Sequence, residues 1–166
     1  MVSALCLFTA CSAESTGGEG TGDTPAQTLP NPDDDKGTPD DTEKEQITKM
    51  YLTVNGNKLE VTLAQNSAVD KLVEILREGD IVYTADDYGG FEKVGGLGHS
   101  LPTSNTQITT EPGDIMLYLG NQIVLFYGSN SWSYTRLGKI NGYSASALAE
   151  LLGAGQGKVQ ITLSLK

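Results

Sequence analysis

Apolar and polar residues begin to alternate near Ile47. In "TKMYLTVNGNKLEVTL" the apolar positions are Met50, Leu52 and Val54, then Leu59, Val61 and Leu63. A period of two places each set on one face of a strand. Asn55-Gly56 separates the two runs. Both residue types tolerate positive φ, so the pair predicts a β-hairpin. The period then changes. In "NSAVDKLVEILREG" Val69, Leu72, Val73 and Leu76 recur at i, i+3, i+4 and i+7, one apolar face of a helix. Ser67 is the expected cap, Asp70 the capping-box acid and Gly79 the stop.

Further along, "DIMLYLGNQIVLFYG" predicts a second hairpin around Gly120-Asn121. Ile115, Leu117 and Leu119 alternate with Met116 and Tyr118, so both faces are apolar, as in a central strand or a barrel. "YTRLGKI" reads as a strand. "SASALAELLG" reads as a short helix with Leu148, Leu151 and Leu152 on one side and Gly153 as its stop. "KVQITLSLK" alternates cleanly and is expected to pair with the first hairpin and close the sheet. The pattern predicts a mainly β domain, a barrel or sandwich with two plugging helices and no internal repeat.

Before Ile47 the chain has a different character. "MVSALCLFTACSAES" is apolar up to Ala10 and polar after Cys11. This resembles a bacterial lipoprotein signal, in which the cysteine after a small-residue box is lipidated. The resemblance implies lipidation of Cys11 and an extracytoplasmic protein anchored to a bacterial membrane. The apolar run is short and no Lys or Arg precedes it, so the true start is expected upstream. Residues 12–45 are rich in Gly, Pro, Thr, Asp and Glu. Such a stretch buries too little apolar surface to fold, and it reads as a disordered acidic tether. Asp33-Asp34-Asp35-Lys36-Gly37 lacks the EF-hand spacing and its terminal Glu, so it belongs to the tether. The expected organisation is a signal remnant at 1–11, a tether at 12–45 and a folded domain at 46–166.

Charge and cysteine content narrow the chemistry. The net charge is −10 and the pI about 4.4. Nucleic acid is excluded, because phosphate binding needs clustered Lys and Arg. Membrane contact is expected only through Cys11. Both cysteines, Cys6 and Cys11, precede the tether, and the chain has one histidine. The body therefore offers no disulfide, no thiol nucleophile and no Cys- or His-based metal site. No cofactor is expected.

"LTVNGNKLEVTL", a short helix, "DYGGFEKVGGL", "PGDIMLYLGNQIVLFYGSNSWSYTRLGKI", a second helix and a terminal strand together resemble the bacterial cyclophilin-like domain family. The resemblance spans about 50–166. It implies a closed eight-stranded β-barrel with two capping helices. Cyclophilins are prolyl isomerases that set an arginine over an aromatic groove. At the corresponding places this chain offers Lys93, Phe126, Trp132 and Tyr134. The arginine and the Gln-Gly-Gly after it are missing, and Lys lacks the planar bidentate donor of Arg.

The segment "DDYGGFEKVGGLGHSLP" holds the other site residues. Its glycines spell neither a dinucleotide nor a Walker loop, so Gly89, Gly90, Gly95, Gly96 and Gly98 are read as turns and bulges. His99-Ser100 lacks a nucleophile elbow. Glu92 and Lys93 are adjacent, so in a strand they point to opposite faces. Aromatics with polar tips favour pockets. The expected binding residues are Tyr88, Phe91, Glu92, Lys93, Phe126, Trp132, Tyr134 and Arg136, the last as partner of an anionic group. The leading expectation is a monomeric module binding a peptide or small ligand without catalysis. The alternative is a weak prolyl cis-trans isomerase for exported proteins, using Lys93 and Phe126. A third is an accessory domain with no ligand. A cationic donor on the groove floor favours the isomerase; a groove filled by its own side chains favours the third.

Overall fold

The structure is a computed structural model that describes residues 46–166. Cys11, the 1–11 segment and the 12–45 tether lie outside the described residues. Chain order is β1 (Lys49–Val54), β2 (Asn57–Leu63), α1 (Ser67–Glu78), β3 (Ile81–Tyr88), β4 (Glu92–Gly96), β5 (Thr106–Thr109), β6 (Asp114–Tyr118), β7 (Gln122–Phe126), β8 (Ser131–Ile140), α2 (Ala145–Leu151) and β9 (Val159–Ser164).

Eight strands close the expected antiparallel barrel in the order β2-β1-β9-β3-β4-β7-β6-β8, with β8 returning to β2. The short β5 lies outside the ring and pairs only with β8. The terminal strand closes the sheet as its alternation predicts. It sits between β1 and β3, with Leu52 opposite Leu163 on one side and Ile81 opposite Leu163 on the other.

The first hairpin turns where expected, with Asn55 and Gly56 at φ 48° and 76°. Two local expectations need correction. The α1 cap is Asn66, whose side chain accepts from the Val69 amide at 3.1 Å; Ser67 is already helical. Asn66 also donates from its amide to the Arg136 carbonyl at 2.8 Å, which ties the helix start to β8. The second hairpin bends one residue early. Leu119 and Gly120 take φ 50° and 76°, so Leu119 leaves the strand and stands 68% exposed. Tyr118 and Gln122 are the pair that flanks the turn.

Inward-facing residues of both hairpins, with Ile81, Tyr83, Ile161 and Leu163, form one apolar core. The α1 face Val69, Leu72, Val73 and Leu76 joins it, as does Leu148 of α2. A second cluster lies on the outer face: Met116, Val124, Phe126 and Tyr134, with Phe91, Val94, Ile108 and Tyr118 packed against it. This explains why β6 and β7 are apolar on both sides. Ile115, Leu117, Ile123 and Leu125 face in, and Met116 and Val124 face out. Among the described residues no helix is long and apolar enough to cross a membrane.

Candidate functional site

The site grows from the outward-facing half of β4. Tyr88 and Glu92 pair across the turn that joins β3 to β4, and Glu92 also faces Phe126 of β7. Directly opposed residues in a sheet point to the same side, so Tyr88, Glu92 and Phe126 share the outer face. Gly89 and Gly90 supply the positive φ of this turn, 61° and 75°. A Cβ on Gly89 would also lie 2.3 Å from the Phe91 ring, which would have to shift. Gly95 has a different role from the turn or bulge expected of it. It lies inside β4, where a Cβ would meet the Thr84 carbonyl at 2.5 Å and the Tyr83 ring at 2.6 Å. Its missing side chain makes room for Tyr83 in the barrel.

Outward Val94 opposes Val124, and Val124 opposes Met116. Val94 and Val124 form the base of a pocket of about 340 Å³. Its aromatic walls are Tyr88, Tyr118, Trp132 and Tyr134; Glu92, Gln122 and Asn130 add polar groups. The Tyr134 ring stands edge-on to Tyr118, with centroids 6.1 Å apart, and edge-on to Phe126 at 5.6 Å. Asn130 donates from its side-chain amide to the Tyr134 hydroxyl at 3.1 Å. Tyr88 and Trp132 remain 66% and 56% exposed, so they form a rim.

Glu92 is the group that stands out. It is 4% exposed, and its Oε2 has no hydrogen-bond partner among the described residues. Burial disfavours the charged form and pushes this carboxyl up to about 7. Burial first, then the nearby Glu92 charge, raises the Tyr134 hydroxyl above its ordinary range.

Lys93 points the other way. It opposes Leu125, an inward residue, and its side chain is 0% exposed. Its Nζ lies 2.8 Å from Asp87 Oδ2 and donates to the Gly157 carbonyl at 2.6 Å. Asp87 also accepts from the Gly157 amide and the Tyr127 hydroxyl, both at 3.1 Å. Burial alone would raise the Asp87 carboxyl. The hydrogen bonds from Lys93, Gly157 and Tyr127 outweigh it and hold Asp87 below the ordinary carboxylate range.

Of the eight residues expected to bind, Tyr88, Glu92, Trp132 and Tyr134 line this one pocket. The other four expected site residues do not line it. Lys93 is turned inward by strand alternation. Phe126 lies beneath the pocket, buried against Tyr134. Phe91 falls in the turn and packs on the outer cluster. Arg136 donates to Asp114 at 2.8 Å, so it is no free anion partner. Sequence reasoning missed Val94, Tyr118, Gln122, Val124 and Asn130. The doubly apolar β6–β7 hairpin was the signal for two of them, Tyr118 and Val124. His99 is exposed and lies apart from the pocket lining. Among the described residues no group of three or more His, Cys, Asp or Glu is gathered for a metal ion.

A model of the cyclophilin-like family matches residues 52–164. The chain belongs to this family. Its solved neighbours include the solution structure of a hypothetical protein from Archaeoglobus fulgidus, 16% identical with a TM-score of 0.52. That match covers 74% of this chain and 99% of the archaeal one. At this identity the likeness carries the fold alone. No curated protein matches the chain. The cyclophilin-like family and the archaeal neighbour agree on the barrel; the pocket has to be read from this chain's own residues.

Proposed function

We propose that this cyclophilin-like barrel is a binding module that holds a small ligand or the end of a peptide in the outer pocket, without catalysis. The observation that carries this reading is the pocket itself. It is concave, aromatic-walled and not filled by its own side chains, and its floor holds a buried carboxyl with an unused acceptor. Ligand sites combine such apolar walls with a few converging polar groups. An accessory domain without a ligand gives no reason to leave a pocket of this kind open. The isomerase reading requires a cationic donor toward the groove, and neither Lys nor Arg is among the lining residues. With the lipoprotein-like N-terminus, the reading is completed by a lipid on Cys11 that holds the module outside the cytoplasm.

Two measurements test it. Thermal shift against a broad panel of small molecules and short peptides should give stabilising hits that Trp132→Ala abolishes. A folded protein that no compound stabilises would sink the binding reading. Mass spectrometry of the protein expressed from an upstream start should show lipid on Cys11, and an unmodified full-length chain would remove the anchor.

A further inference from the structure

The pocket contains one charged group, Glu92, and no resident counter-ion. Lys93, the nearest basic residue in sequence, is committed to Asp87 on the far face. Arg136 and Lys139 are committed to Asp114 and Glu111. A carboxylate buried without a partner is costly, because neither water nor a cation compensates the loss of hydration. Structures keep such groups where something else completes them.

The walls state what that partner is. Aromatic faces attract cations through their negative π surface, and three tyrosines and a tryptophan enclose the carboxyl. A quaternary ammonium would satisfy the rings, yet it has no N–H to give to the Glu92 carboxylate. A primary ammonium satisfies both, with three donors and a compact charge. We infer that the pocket recognises a primary ammonium group carried on an apolar or aromatic body, with the nitrogen donating to the Glu92 carboxylate and the body lying against Trp132 and Tyr118. This rests on the binding reading above and names the chemistry the pocket takes. The ammonium can come from a free small amine or from the amino terminus of a peptide.

The groups facing Glu92 are Tyr88 from β3, Tyr118 from β6 and Tyr134 from β8, with Tyr127 just beyond β7. The Glu92 carboxyl changes charge near pH 7. Ammonium binding should therefore strengthen as pH rises through about 7. A pocket that instead used the protonated acid to donate to a ligand carbonyl would weaken over the same range.

The test is a titration of the full chain at pH 8 followed by NMR and calorimetry. The probes are 2-phenylethylammonium, its N-trimethylated form and uncharged 2-phenylethanol. The expected result is tightest binding by the primary ammonium, with shifts at the Trp132 indole. Glu92→Gln keeps the shape and should cost the ammonium about tenfold or more in affinity, and the alcohol clearly less. Trp132→Ala should weaken all three. Equal affinity for the alcohol and the ammonium, or no effect of Glu92→Gln, would overturn the ammonium inference and leave the binding reading standing. Failure of the three probes alongside stabilising hits from uncharged compounds would do the same; failure of probes and panel together would sink both. A tetrapeptide with a free amino terminus, against its N-acetylated form, separates the sources. With affinities expressed per protonated amine, since a peptide amino terminus is about half ionised at pH 8, a peptide preference over the small amine assigns a peptide end; the reverse assigns a free amine.

Discussion

Glu92 and Lys93 are neighbours in β4, and each is buried on a different side of the sheet. Glu92 lines the outer pocket, its buried Oε2 without a hydrogen-bond partner among the described residues, and Lys93 faces inward onto Asp87 and the Gly157 carbonyl. One peptide unit therefore divides binding chemistry from structural chemistry. Substitutions at these two positions should separate cleanly.

Lys93→Met should destabilise the fold by about 3 kcal/mol, because it removes the one charged donor of the three that a partly buried Asp87 carboxylate now has. Urea unfolding should show a lower midpoint at unchanged slope. An unchanged midpoint would mean that the pair contributes nothing net. Any ligand affinity measured on the folded variant should stay near wild type.

Glu92→Gln should behave in the opposite sense, increasingly so as pH rises from about 4.5 to 7. The Glu92 carboxyl rises from about 4.5 unfolded to about 7 folded. The native state thus holds the proton more tightly, and stability from this group falls as pH rises from about 4.5 to 7 and levels off above. The variant should gain about 2 kcal/mol over wild type at pH 8.5 and little at pH 4.5. Unfolding curves at both pH values decide this, and a pH-independent difference would contradict it.

Tyr83 lies inside the barrel, and its hydroxyl is buried with no hydrogen-bond partner among the described residues. Burial also drives its pKa upward, so the group stays neutral. Tyr83→Phe removes an unmet polar atom and should stabilise by about 1 kcal/mol. Gly95→Ala should cost about 2 kcal/mol or more, since its methyl would meet the Tyr83 ring and the Thr84 carbonyl. Thermal unfolding of the two variants should shift in opposite directions.

Leu119 holds a left-handed backbone with an exposed apolar side chain. Leu119→Gly relieves the conformation and should raise stability by about 1 kcal/mol. A lower melting temperature would show that the side chain contributes a contact worth more than the strain.

Prolyl isomerisation of a model peptide should proceed at the uncatalysed rate in the presence of the folded protein. A faster rate that Phe126→Ala reduces would restore the alternative assignment.

The barrel was legible because its signals are local. Asn55-Gly56 fixes one hairpin, and the spacing of Val69, Leu72, Val73 and Leu76 fixes a helix face. The pocket was legible in half. Alternation says that Glu92 and Lys93 diverge, but it cannot say which faces out. That choice depends on the glycine turn at Gly89-Gly90 and on long-range pairing with Phe126 and Leu125. Arg136 looked free because Asp114, its partner, lies on another strand. Val94 and Gln122 carry no chemical signature in sequence; only the register of β4, β6 and β7 brings them to the site.

The position of β9 has a consequence for biosynthesis. It is inserted between β1 and β3, yet it follows every other strand in the chain. Until it is made, β1 and β3 both present raw hydrogen-bonding edges, and such edges invite pairing with other chains. Folding is therefore expected only once the ribosome has released Val159–Ser164, which leaves a long nascent chain in need of protection. A chain stopped before Val159 should lose its solubility altogether, however complete its pocket residues.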